Sequence, residues 1–241
     1  MALLKYVPEW LRFLLATLAI SLTVHSFAFA SNYIPSESMV PTLQIGDRLA
    51  IDKWAYGWSR YSLPIDPGFS FPTKDGRIFS HLPKRGDVVV FTNPVSGETY
   101  VKRVIGLPGD RIAMHEGRLY VNGVKAARRK TGRYSYLDPS GTPVTVTRYE
   151  ETIPGGSTHT IIERTDHGFA DEMAEVTVPP EDLFMMGDNR DDSADSRFPE
   201  LGFVPLENLK GRADLITYSF YTCEKEPGLT CARRRYLSPI H

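Results

Sequence analysis

A serine hydroxyl becomes a useful nucleophile only when a base within hydrogen-bond reach takes its proton. The serine of interest is Ser38, in Ile34-Pro35-Ser36-Glu37-Ser38-Met39-Val40-Pro41-Thr42-Leu43, just beyond an apolar N-terminal stretch. No histidine motif offers it a base. A lysine does: Lys102, in Tyr100-Val101-Lys102-Arg103-Val104-Ile105-Gly106-Leu107-Pro108-Gly109-Asp110. Lysine accepts a proton only when neutral, and its reference pKa is about 10.4. Burial disfavours the ammonium and lowers that value by up to ~3–5 units. Pro35 and Pro41 fix φ on both flanks of the serine segment. Ser36 offers a second hydroxyl, suited to donate to a developing oxyanion beside the Ser38 backbone N–H. Donors of this kind are worth roughly 3–4 kcal/mol each in acyl-transfer sites. Taken alone, Ser38 also reads as a turn residue and Lys102 as a surface strand lysine.

A third cluster is Gly187-Asp188-Asn189-Arg190-Asp191-Asp192-Ser193-Ala194-Asp195-Ser196-Arg197. Its aspartates raise the question of calcium. An EF-hand loop wants Asp or Asn at its third position, Gly at its sixth and Glu at its twelfth, where this chain has Arg190, Ser193 and Pro199. Asp195 and Arg197 instead suit an internal ion pair that fixes a loop, and Ser193 is expected to hydrogen-bond the lysine amine and orient it. The chain contains neither a G-x-S-x-G elbow nor an H-E-x-x-H metal motif.

The elements that must position these residues read mostly as strands. Asp47 to Ile51, Asp87 to Phe91, Tyr100 to Ile105, Pro143 to Thr147, Thr158 to Glu163 and Ile216 to Phe220 are short runs rich in branched or aromatic residues. Asn122-Gly123, between Leu119-Tyr120-Val121 and Val124, is a strong hairpin signal. Strand alternation puts Lys102 on one face with Tyr100 and Val104, an apolar setting, and turns Arg103 to the other, where its charge intrudes less. Outside the N-terminal stretch the only helical signal is a turn near Leu206-Glu207-Asn208-Leu209. Residues 59–83 read as a loop. Trp54, Tyr56 and Trp58, just before it, suit either the core or a lipid interface. The expected fold is mainly antiparallel β. Residues 31–112 and 184–241 would form a catalytic core with its C-terminal tail, 113–183 an inserted β subdomain, and 1–30 the N-terminal end and a membrane anchor.

The anchor reading rests on Phe13 to Ala30, which carries no Asp, Glu, Lys or Arg. A spanning helix needs about 20 residues, with a range of about 17–25, so the stretch qualifies narrowly with Trp10 and Leu11 added. Lys5 and Arg12 ahead of it favour a cytoplasmic N-terminus. A cleaved secretory signal is the rival, since Ala28-Phe29-Ala30 resembles a small-x-small cleavage site. Either way the folded part lies outside the cytoplasm, at a short tether from the bilayer. Cys223 and Cys231 suit a structural disulfide in that compartment, with free thiols as the alternative. Net charge is −1 over 241 residues, so nothing pulls the chain towards nucleic acid. The basic runs Arg128-Arg129-Lys130 and Arg233-Arg234-Arg235 read as solvated surface or as contacts to anionic lipid.

With these residues assembled, the chain resembles the bacterial type I signal (leader) peptidases, Ser/Lys-dyad membrane-bound serine peptidases. Ser36 to Leu43, Lys84-Arg85-Gly86-Asp87-Val88-Val89-Val90-Phe91, Tyr100 to Asp110 and Gly187 to Arg197 look like that family's successive boxes, in family order, and Gly202-Phe203-Val204-Pro205 extends the last. The resemblance implies Ser38 as nucleophile, Lys102 as general base, Ser36 in the oxyanion hole and Ser193 positioning the lysine. Asp188, Arg190, Asp195 and Arg197 carry over as scaffold. Shallow pockets lined by Ile34, Pro35, Met39, Tyr100 and Val101 would explain a preference for small residues at −1 and −3. The implied fold is a mainly β catalytic core with an inserted β cap behind one transmembrane helix. The implied activity is removal of signal peptides from secreted preproteins, with no cofactor and no metal. The implied partners are those signal peptides and the lipid bilayer. The implied place is the cytoplasmic (inner) membrane, single-pass, with the catalytic domain on the periplasmic side. Glu37 stands where many members have a small residue, and the link through Phe198-Pro199-Glu200-Leu201 is long for the family. The rivals are a relative that matures one pilin or conjugation substrate, a tethered non-enzymatic β-domain, and a soluble self-cleaving repressor.

Overall fold

The computed structural model describes residues 8–17, 29–63, 68–138, 140–220, 229 and 235–241, with only the backbone of 29–31. Residues 9–17 are helical. Four strands follow: β1 (Phe29–Tyr33), β2 (Asp47–Asp52), β3 (Val88–Thr92) and β4 (Thr99–Gly106). An insertion then carries β5 (Arg111–His115), β6 (Arg118–Val121), β7 (Val124–Lys125), β8 (Ala127–Leu137), β9 (Pro143–Thr152), β10 (Thr158–Glu163) and β11 (Met173–Thr177). The chain returns with β12 (Asp182–Met186), β13 (Val204–Pro205), β14 (Leu209–Ser219) and β15 (Tyr236–Pro239). The main sheet runs β1-β2-β14-β3-β4-β12-β13, with β15 on β14. The insertion forms two smaller sheets, β10-β9-β8 and β11-β5-β6-β7. All ladders between these strands are antiparallel.

The centre of the main sheet is buried on both faces, which is why β3 reads as an unbroken apolar run. Val89 and Phe91 pack with Val104, Leu183, Met185 and Leu209 on one side. Val88 and Val90 pack with Ile34, Met39, Leu43, Leu49, Ile51 and Ile216 on the other. Ile105 and Phe184 reach instead into the cluster of Ile112, Met114, Leu119 and Val121, joining the main sheet to the insertion.

The mainly antiparallel β expectation matches this architecture. The hairpin at Asn122-Gly123 forms between β6 and β7, with both residues at positive φ, as a mirror-image two-residue turn requires. The helical turn near Leu206 is a short 3-10 turn over Leu206–Asn208. Residues 59–83 are better tied than a plain loop, through the Trp58–Ile78 bridge and a 3-10 turn at Arg60–Ser62 capped by Ser59.

The N-terminal reading needs correction at its boundary. Phe29 and Ala30, placed at the end of the anchor, pair with Asp52 and Ile51 as the start of β1. Phe29 and Ala30 carry no charge in a strand as in a helix, so absence of charge ran the two together. Residues 18–28 of the expected span lie outside the described residues. Among the described residues no helix is long and apolar enough to cross a membrane. Cys223, Cys231, Arg233 and Arg234 also lie outside them. Of the aromatics ahead of the loop, Tyr56 is core, whereas Trp54 and Trp58 are exposed and stacked on one another. Arg128 is not a solvated lysine-like cation: it is buried against Glu163 and lies over the Tyr149 ring at 3.5 Å.

Candidate active site

Ser38 sits on a tight segment hung from the edge of the main sheet. Ile34 N–H donates to Asp47 O at 2.9 Å, Val40 N–H to Glu37 O at 2.9 Å and Leu43 N–H to Met39 O at 2.8 Å. Met39 and Leu43 are buried below it and pin the segment. The Asn189 backbone N–H donates to Ser38 O at 3.1 Å, and its side chain donates to Glu37 O at 3.3 Å. The Ser38 segment is therefore held from two sides, by its own turns and by the loop after β12.

Lys102 comes from the middle of β4, opposite Val89 of β3. It is buried, and its Nζ lies 2.5 Å from Ser38 Oγ. Burial pushes the Lys102 pKa down to about 8; Arg197 adds repulsion, while Asp195, Asp188 and Glu37 pull the other way. With that pKa a minority of the amine is neutral at pH 7, and this fraction beside a serine hydroxyl is able to act as a general base. Ser36 Oγ lies 3.4 Å from Ser38 Oγ.

The loop Gly187–Arg197 supplies the supporting charges. Asp195 accepts from Arg197 Nε and Nη2, each at 2.8 Å, and from Gly187 N–H at 3.0 Å. Arg197 Nη2 also donates to Arg190 O at 2.6 Å, closing the loop on itself. Asp188 takes a two-pronged grip from Arg103, at 2.8 and 2.7 Å, and a hydrogen bond from Thr42. Burial works against the Asp188 charge, but the Arg103 guanidinium outweighs it and holds the carboxyl below its usual range. Arg190 pairs with Glu151 of β9 through both oxygens, so the insertion is bolted to the loop after β12.

One expected contact is not made. Ser193 is buried in the loop after β12, and its hydroxyl makes no hydrogen bond among the described residues. It packs instead against Gly187, where a side chain would collide with both Ser193 and the Ser38 carbonyl. Ile34, Pro35, Met39, Tyr100 and Val101 all line a groove of about 790 Å³, which Ser36, Ser38 and Lys102 also line.

Reading the residues missed three supports. Arg103 faces away from Lys102 as alternation requires, but is wholly buried, its charge met by Asp188 and by the carbonyls of Gly86 and His241. Glu151 and His159 arrive from β9 and β10. His159 Nε2 lies 3.8 Å from Glu151 and 3.9 Å from Asp188. Burial, then the Arg103 charge, lowers its pKa to about 4, so the ring is neutral at pH 7. Nothing local in sequence marks these two, because their partners lie in a distant loop. Among the described residues no cluster of His, Cys, Asp and Glu could hold a metal ion.

Residues 7–218 match the family model described as signal peptidase, peptidase S26. The chain is 36% identical over 222 residues to Signal peptidase I of Rickettsia bellii (strain OSU 85-389), covering 88% of this chain and 73% of that protein. It is 38% identical over 197 residues to Signal peptidase I of Rickettsia akari (strain Hartford), covering 77% of this chain and 70% of that one. A crystal structure of a signal peptidase I from Enterococcus faecalis V583 is 26% identical, with a TM-score of 0.32, and covers 55% of this chain and 97% of its own.

Proposed function

Because the chain belongs to the signal peptidase family, peptidase S26, we propose that it is a membrane-anchored serine endopeptidase that removes signal peptides from exported preproteins. The observation that carries the reading is the 2.5 Å approach of a buried Lys102 Nζ to Ser38 Oγ. Cleavage follows a small-x-small motif and uses Ser38 and Lys102 as the catalytic pair.

In this mechanism neutral Lys102 takes the Ser38 proton as Oγ attacks the carbonyl of the −1 residue. The oxyanion that forms is held by the Ser38 N–H and the Ser36 hydroxyl. The lysine ammonium then gives its proton to the leaving amine, which departs as the N-terminus of the mature protein. Lys102, neutral again, activates a water that releases the signal peptide from the acyl-enzyme. Asp195, Arg197, Asp188 and Arg190 touch no reacting atom in this scheme and serve as scaffold, and Ser193 fills space against Gly187. The groove walls of Ile34, Pro35, Met39, Tyr100 and Val101 favour small side chains at −1 and −3 by shape.

Anchoring is supported by the charge-free stretch ahead of β1 and by Lys5 and Arg12 before it. The catalytic domain then works on the outer side of the cytoplasmic membrane. To test the reading, detergent-solubilised protein is incubated with a preprotein carrying Ala at −1 and −3, and the product's N-terminus is sequenced. Release of the mature N-terminus, blocked when −1 is Phe, is expected. Cleavage elsewhere, or equal cleavage of the Phe substrate, contradicts it.

A further inference from the structure

A second cavity, of about 340 Å³, adjoins the active-site groove. The two share only Pro35 and Glu37, so the nucleophile segment is their common wall. Its floor is Val40, Gln44 and Ile45, which follow Ser38 in the chain, and its far wall is Tyr134, Tyr136 and Leu137 at the end of β8. The wall is fixed relative to the nucleophile: Asn189, whose N–H holds Ser38 O, donates its side chain to Tyr136 Oη at 3.0 Å, and Tyr136 Oη donates to Asp192 at 2.9 Å. Gln44 Nε2 donates to Tyr134 Oη at 2.9 Å across the cavity floor. The hairpin tip beyond Leu137 is braced by Asp138, which accepts from the N–H groups of Ser140 and Thr142 at 2.9 Å each.

A polypeptide cut at Ser38 must leave it in two directions. If the residues before the scissile bond take the groove of Tyr100 and Val101, the ridge of Pro35 and Glu37 is one way out for those after it. What lies across that ridge is a preformed, mainly apolar cavity with rigid walls, the usual character of a side-chain subsite.

We propose that this cavity binds an apolar side chain from the first residues of the mature protein, making the β8–β9 hairpin a determinant of specificity on the leaving-group side. The inference rests on the signal-peptidase reading above and adds to it a second recognition surface. Glu37, at the shared rim, sets a carboxylate beside the emerging segment and disfavours acidic residues there.

The test uses full-length protein and preproteins identical up to −1, with Leu or Gly placed in turn at each of the first four mature positions. Wild type is expected to favour Leu at one position by about tenfold in kcat/KM. Leu137→Trp and Ile45→Trp, which fill the cavity from its far wall and its floor, are expected to erase that preference while preserving discrimination between Ala and Phe at −1. The retained −1 discrimination shows that a variant is folded, and having two variants guards against one that is not. Indifference of wild type to Leu or Gly at every position, or a preference that survives in either folded variant, overturns the proposal and leaves signal-peptide removal standing. Failure of wild type to cleave any of these preproteins overturns both.

Discussion

At the scale of the residue, the account depends on Lys102 being neutral. Its amine is stripped of water, and burial outweighs the attraction of Asp195, Asp188 and Glu37, bringing the pKa to about 8. The protonated form dominates below that value and is inactive as a base. Activity should therefore fall by about tenfold per pH unit on the acid side of 8 and level off above it. A kcat/KM profile checks this, and a flat acid limb down to pH 6 would remove Lys102 as base. Gly187 gives a second prediction. A Cβ there would lie 2.5 Å from Ser38 O and collide with Ser193, so Gly187→Ala should displace the nucleophile and cost about 100-fold in kcat, with far-UV circular dichroism unchanged. The pairing of Ser38 with Lys102 was legible from the residues and the order of their boxes. The packing of Ser193 was not, because a hydroxyl's partner depends on sub-ångström placement that residue type does not encode.

At the scale of the element, period-2 alternation explains both what was legible and what was hidden. It put Lys102 on the face of Tyr100 and Val104 and sent Arg103 to the other. It could not say that the other face is also buried, nor that the Arg103 charge is met there by Asp188. Likewise β10 and the first half of β9 are evident as strands, yet Glu151 lies beyond the expected run and His159 looks like an ordinary strand polar until the Asp188–Arg190 loop docks on them. Removing one partner of a buried ion pair leaves an uncompensated charge. Glu151→Ala should accordingly lower unfolding free energy by about 3–5 kcal/mol, read from urea denaturation. A loss within 0.5 kcal/mol, the range usual for substitutions at the surface, would mean that the pair does not hold the loop. β1 was the element least legible, since Phe29 and Ala30 continue the charge-free stretch before them.

At the scale of the whole molecule, the insertion is not a loosely attached cap. Ile105 and Phe184 of the main sheet share a core with Ile112 and Leu119 of one inserted sheet, and the Arg190–Glu151 pair ties the other inserted sheet to the loop after β12. The sheets should then unfold together. Fluorescence from Trp54 and Trp58 beside the main sheet and near-ultraviolet signals from Tyr134 and Tyr136 in the insertion are expected to give coincident transitions. Separated midpoints would show that the insertion melts independently. That cooperative frame is what keeps a lysine from β4 against a serine from the β1–β2 connection. The most direct test of the whole account is single-turnover cleavage of a preprotein with Ala at −1 and −3 by wild type, Ser38→Ala and Lys102→Ala side by side. Cleavage after the −1 alanine by wild type alone is the predicted result; cleavage that persists in both folded variants would contradict it.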